Sequence, residues 1–246
     1  MHKFFSLSLL TLALATTPAW AFDLSINNDL VDAAKDAGKA ATLSDDDIIK
    51  MGRESANAYD AQNKVAAPSS DYAKRLTKLT QKHLKEDGLN LNFKVYLDDN
   101  VNAFALPDGS IRVYAGLMDM MTDQELIAVI GHEIGHVKLQ HSKSQFQKAY
   151  ATSAARKGVA SQGGVAGSLA KSQLADLADQ VLKAQFSQSD ELGSDDYSIK
   201  FMKKHGYDPK ALVSSFKKLA TLGDVDSITS THPAPSKRAK RIEETL

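Results

Sequence analysis

From Ser44 onward the hydrophobic and polar positions of this chain change period several times, and each change predicts an element. Ser44-Asp45-Asp46-Asp47 sets a capping residue before an acidic first turn, which predicts a helix running towards Asn63. Pro68-Ser69-Ser70-Asp71 then punctuates the chain, and Leu76, Leu79 and Leu84 mark the apolar side of a second helix. Leu91-Asn92-Phe93-Lys94-Val95-Tyr96-Leu97 alternates apolar and polar residues, as a strand with one buried face does. Residues 101–106 and 111–114 read as short strands on either side of the turn Pro107-Asp108-Gly109. Thr122-Asp123-Gln124-Glu125 fits a capping box, and the helix it opens is expected to end near His141. Helices are expected again from about Gln173, over 188–205, after Asp208-Pro209 towards Leu222, and after Pro235-Ser236. The pattern predicts an α+β fold: one mostly helical domain over residues 22–246, with a small sheet before its central helix.

Three stretches lack either period. Met1-His2-Lys3 is a short basic start, residues 4–16 are apolar or small, and Pro18 precedes Ala19-Trp20-Ala21. This is the form of a secretory signal peptide over residues 1–21 with a small-x-small cleavage site. The apolar run is shorter than the roughly 20 residues that a membrane-spanning helix needs. Residues 22–41, polar and rich in small side chains, read as a loosely attached arm. Residues 151–170 are crowded with Gly, Ser and Ala, as in Gly163-Gly164-Val165-Ala166-Gly167, and read as a flexible surface insertion.

Composition narrows the function. Thirty Lys and Arg balance thirty Asp and Glu, so neither nucleic acid nor an anionic membrane surface is expected as the main partner. The chain holds no cysteine, which excludes disulfides, thiolate metal ligands and a cysteine nucleophile.

The chemistry concentrates in His132-Glu133-Ile134-Gly135-His136, inside the helix opened by the capping box. Four residues along a helix return a side chain to the same face, so both imidazoles can address one ion, with Glu133 within reach of a water beside it. Zinc suits neutral imidazole, and a catalytic zinc usually has three protein ligands, so a third must come from His, Asp or Glu elsewhere. Glu191 and Asp195, also four apart on an expected helix, are candidates: one carboxylate can bind the metal while the other fixes a ligand imidazole by hydrogen bonding.

Taken together, His132-Glu133-x-x-His136, Glu191-x-x-x-Asp195 and a late His232-Pro233 with Arg238 resemble the HtpX/BepA/LoiP type of zinc metallopeptidase, a gluzincin group. The likeness extends through residues 99–105 and 111–122, Phe186-Ser187-Gln188 and Asp195-Asp196-Tyr197-Ser198, and is strongest to LoiP-like periplasmic peptidases. It implies a single-domain gluzincin fold holding one Zn2+ per chain on His132, His136 and Glu191, with Glu133 as general base and Asp195 orienting a ligand. His232 is implied near the zinc, either donating a hydrogen bond to the oxyanion or occupying the zinc's open position at rest; the former is preferred. Residues 101–105 resemble the family's edge strand beside the cleft, so Asn102 and Ala103 are expected to pair with extended substrate. LoiP-like relatives are anchored through a lipidated N-terminal cysteine, and this chain has none. The expectation is a soluble periplasmic endopeptidase with no lipid anchor and no membrane span, acting on polypeptides, chiefly unfolded, misfolded or surplus envelope proteins. The rival is a chaperone-like binding or assembly factor that keeps the zinc fold and cleaves little; retention of Glu133 favours the enzyme. His141 reads as a helix-end residue near a C-terminus, His83 and His205 as ordinary surface positions, and Met118, Met120 and Met121 as core. The insertion, lying between the two ligand-bearing helices, is a candidate cover for the cleft.

Overall fold

The computed structural model describes residues 44–157, 171–223 and 228–246; the expected signal peptide, the arm at 22–41 and residues 158–170 of the expected insertion lie outside them. Ser44 and Asp47 satisfy one another's backbone N–H groups, and this capping box starts α1 (Asp45–Gln62). Ser70 caps α2 (Asp71–Thr80) in the same manner. The second helix ends at Thr80 and does not reach Leu84. It breaks into two 3-10 turns, Gln81–His83 and Glu86–Gly88, with Asp87 and Gly88 at positive φ. Leu84 is left exposed, so the leucine spacing overstated the buried face.

Three strands follow: β1 (Asn92–Tyr96), β2 (Ala103–Ala105) and β3 (Ser110–Tyr114). β3 is central, parallel to β1 and antiparallel to β2, which makes β2 an edge. The β2–β3 turn passes through Gly109 at φ 86°, where a Cβ would lie 2.2 Å from the Asn90 carbonyl oxygen. Because strand side chains alternate, Val95, Ile111 and Val113 enter one apolar cluster while Tyr96, Phe104 and Tyr114 enter another. Arg112, buried beside this second cluster, grips Asp60 of α1 through Nε and a terminal nitrogen at 2.7 and 3.0 Å. That pair fastens the first helix across the sheet.

After α3 (Ala115–Met120), Thr122 and Glu125 form the expected capping box of α4 (Asp123–Lys138). Every residue of α4 from Glu125 to Val137 is buried, as befits a helix enclosed on all sides. It ends at Lys138, with Leu139 as its C-cap, earlier than His141, because Gln140 turns to φ 63°. A new helix, α5 (His141–Lys157), begins there and takes in the first residues of the Gly/Ser/Ala-rich stretch. The chain is completed by α6 (Lys171–Lys183), α7 (Gln188–Lys204), α8 (Lys210–Leu219), α9 (Ile228–Thr231) and α10 (Pro235–Thr245). α7 lies along α4, α1 along α6, and α10 along α8. Met118 and Met121 are core residues and Met120 packs against them, as expected. Among the described residues no helix is long and apolar enough to cross a membrane.

Candidate metal centre

The close pairing of α4 with α7 depends on what their facing positions lack. A Cβ on Gly135 would lie 3.0 Å from the Ser194 Cα, and one on Gly131 would lie 2.8 Å from the Phe201 ring. With no side chain at either glycine, α7 approaches near enough to bring Glu191 to the two histidines of α4. His132 and His136 face one another with Nε2 atoms 2.9 Å apart. Glu191 stands 3.7 Å from the first through Oε2 and 3.3 Å from the second through Oε1. His232, just beyond α9, brings its Nδ1 to 2.9 Å from Glu191 Oε1 and 3.3 Å from His132 Nε2.

The four residues are buried, and one ligand atom from each lies within 4.8 Å of all the others. A tetrahedral ion with bonds of about 2.0–2.2 Å separates its ligand atoms by about 3.3–3.5 Å, close to these spacings. Three imidazoles and one carboxylate are donors that suit a zinc-like ion. The residues present therefore fit the metal.

At His136 and Glu191 the surroundings set the protonation that a metal needs. For His136, burial pushes the imidazole well below its ordinary value and leaves it neutral, with a lone pair free to bind. Burial works to raise the Glu191 carboxyl, but the neighbouring histidines outweigh it and hold that carboxyl far below the usual range. His232 is desolvated too, yet Glu191 and Glu133 raise its imidazole above the ordinary value. Asp195 lies one helical turn beyond Glu191, with Oδ1 3.0 Å from His132 Nδ1. An N–H donated there leaves Nε2 as the lone-pair atom facing the centre. Arg238 of α10 clasps Asp195 through Nε at 2.9 Å and a terminal nitrogen at 2.5 Å, touches Glu191, and lies over the Phe216 ring. Burial tends to raise the Asp195 carboxyl, and Arg238 together with His132 brings it below its ordinary value.

Glu133 stands apart from the four ligands. It is buried, its Oε1 has no hydrogen bond among the described residues, and it lies 3.7 Å from His232 Nε2. Asn102 and Ala103 are at the start of the edge strand, which packs against α4. The Ala103 N–H donates to the Asn102 side chain at 2.9 Å, and Ile228 N–H donates to Val101 O at 3.0 Å.

The family model of peptidase family M48 matches residues 71–246, a span that holds all four ligands, Glu133 and Asp195. The chain belongs to peptidase family M48. It is 42% identical to the metalloprotease LoiP of Escherichia coli over 223 residues, covering 89% of this chain and 88% of that protein. It is 40% identical to the metalloprotease YcaL of the same organism, over 89% of this chain and 87% of the relative. A more distant likeness, at 26% identity over 85% of this chain and 46% of the relative, is to the beta-barrel assembly-enhancing protease of E. coli. The protein is thus a metalloprotease with an intact His-His-Glu-His metal site, and its substrates are polypeptides.

Two residues of this M48 centre escaped the sequence reading. His141 opens α5 instead of closing the central helix, and its Nδ1 reaches 3.2 Å from both His136 Nδ1 and Ser194 Oγ. The positive φ at Gln140 that turns it inward leaves no periodic trace. Phe186 stacks on the His136 ring at 3.8 Å between centroids, held by its N–H to Thr231 O. Its place in the Phe186-Ser187-Gln188 segment marked it as part of the likeness but suggested no contact. Both residues also line a cleft of about 550 Å3 between α5 and α6, with Gln145, Lys148, Gln180 and Asp190.

Proposed function

We propose that this M48 metalloprotease is a zinc-dependent endopeptidase of the periplasm, exported by a signal peptide at residues 1–21 and acting on misfolded or surplus envelope proteins. One observation carries the catalytic reading: the Glu133 carboxylate is buried with a free oxygen, beside a complete ligand set that does not use it. Such an acceptor has a desolvation cost and only the His232 imidazole, at 3.7 Å, near it in place of a hydrogen bond, which suits a base waiting for a water proton. Bound by His132, His136 and Glu191, zinc supplies Lewis-acid polarisation of the scissile carbonyl and acidifies the attacking water. Glu133 removes that water's proton and hands it to the leaving amine. Asp195 holds the His132 tautomer, and Arg238 keeps Asp195 charged and in line.

His232 has two successive roles in this reading. With Nδ1 among the possible ligand atoms, His232 would join the residues holding the metal at rest; turned towards substrate, its imidazole would donate to the developing oxyanion. The edge position of β2 supports strand addition by an extended substrate. Register with β3 directs the backbone groups of Ala103 and Ala105 outward, so Ala103 must release the Asn102 side chain to pair. This requirement for extended chain, and the name of the beta-barrel assembly-enhancing relative, favour unfolded envelope proteins.

The test compares the purified protein with Glu133→Gln for zinc content and casein cleavage. Zinc in both with cleavage only by the parent supports the endopeptidase. Equal complementation of an envelope defect by the two proteins would instead assign the function to a chaperone-like binding factor.

A further inference from the structure

A second cluster of metal-ligating side chains lies at the far end of α7. The 3-10 turns after α2 carry His83 and Glu86 to that end, where His205 caps the helix. One ligand atom from each of the three lies within 4.8 Å of the others. His83 Nδ1 is 3.2 Å from Glu86 Oε2, and His205 Nε2 is 2.9 Å from the same oxygen.

The two histidines are not the surface residues that the sequence suggested. His83 is fully buried, edge-on to Phe201 and to the His205 ring, and Glu86 is buried with it. His205 retains about a fifth of its side-chain exposure (21%), which leaves solvent a route to the cluster.

Ordinary hydrogen bonding accounts for the outer atoms of this cluster and for His83 Nδ1, which pairs with Glu86 Oε2, but not for His205 Nε2. Glu86 Oε1 accepts from Lys204 Nζ at 2.6 Å, and His83 Nε2 pairs with the Tyr207 hydroxyl at 3.2 Å. These are the contacts that orient a ligating carboxylate and a ligating imidazole from behind. On the inner side, His205 Nε2 is buried and stands 2.9 Å from Glu86 Oε2, yet makes no hydrogen bond among the described residues. A buried ring nitrogen left this way is costly, and an ion at the convergence point would satisfy it together with both partners. The inner spacings of 2.9 and 3.2 Å fall just short of the roughly 3.3–3.5 Å of a tetrahedral zinc-like site.

We propose that His83, Glu86 and His205 form a second metal site that binds a zinc-type divalent ion and ties the turns after α2 to the C-terminal end of α7. Two imidazoles and one carboxylate select a borderline transition ion over magnesium or calcium, which take oxygen ligands. Glu191 and His205 are separated by about 21 Å of helix at 1.5 Å per residue, so this ion takes no part in peptide hydrolysis. It clamps the helix that delivers Glu191 and Asp195, and its role is to hold that helix in place.

Counting zinc decides the matter. The protein, stripped and then equilibrated with micromolar zinc chloride, should hold two equivalents, with one left in His136→Ala and one in His205→Gln. The thermal midpoint should rise with zinc in His136→Ala and cease to respond in His136→Ala/His205→Gln. Circular dichroism establishes that each variant is folded, and Glu86→Gln stands in for His205→Gln where it is not. A single equivalent in the parent that survives His205→Gln, or two equivalents that survive both His205→Gln and Glu86→Gln, would overturn the proposal. A single equivalent that survives His136→Ala but not His205→Gln would instead sink the catalytic zinc reading and leave this one standing.

Discussion

Among the residues of the M48 centre, the direct ligands and the residues behind them should separate cleanly by experiment. Removing Glu191 takes away the carboxylate that lies against both α4 histidines and His232. Glu191→Ala should therefore lose most of the bound metal, measured by elemental analysis after dialysis. Asp195→Asn keeps an acceptor for His132 but halves the grip of Arg238, and a fall of about 10–100-fold in metal affinity or activity is expected. Wild-type affinity and turnover in Asp195→Asn would reduce that residue to a structural partner of Arg238. For His232 the sign is informative. The oxyanion role predicts turnover about 100-fold slower in His232→Ala. A purely resting-state ligand predicts a faster enzyme, and peptide cleavage with zinc content measured alongside distinguishes the two.

At the scale of elements, what was legible in the sequence is what is local. The starts of α1, α2, α4 and α7 each carry their own capping residue within four positions, and each begins where expected. The four-residue spacings of His132 with His136 and Glu191 with Asp195 likewise need only one turn of helix. Illegible features depend on groups far apart in the chain. The His83–Tyr207 contact spans 124 residues, the Arg238–His132 contact 106, and the break between α4 and α5 rests on one left-handed residue, Gln140. The glycine of the ligand motif belongs between these cases, since its identity is visible but its reason lies in α7. Gly135→Ala would set a Cβ 3.0 Å from the Ser194 Cα and 3.2 Å from its carbonyl oxygen, where backbone cannot yield easily. A stability loss of about 1–3 kcal/mol is expected, with weakened metal binding as Glu191 is pushed back. Gly193→Ala meets only the Leu139 and His141 side chains at 3.3–3.4 Å and should cost far less. Equal melting temperatures for the two variants would argue against steric control of the α4–α7 distance.

Across the whole molecule, Glu125 is the carboxylate that fastens the ligand helix to the C-terminal half. It closes the capping box of α4 by accepting from Thr122 N–H at 2.8 Å, and it accepts from Ser214 and Lys218 of α8 at 2.8 and 2.7 Å. Burial works to raise this carboxyl, but Lys218, Thr122 and Ser214 outweigh it and bring it from an ordinary 4.5 down to about 2. The folded value lies below the unfolded one, so the contribution is complete above about pH 4.5 and is lost as pH falls towards 2. Glu125→Gln removes the charge at every pH while keeping the shape. It should be less stable than the parent by about 2 kcal/mol at pH 7, well under the roughly 3.4 kcal/mol of the full linkage. The gap should narrow steadily between pH 4.5 and 2, because the unfolded parent takes up a proton there before the folded one does, and the variant has nothing to protonate. Urea denaturation of both proteins at pH 7, 4 and 3 measures it. A gap that stays constant over that range would mean that Glu125 acts through packing alone, with the charge shared between α4 and α8 contributing nothing.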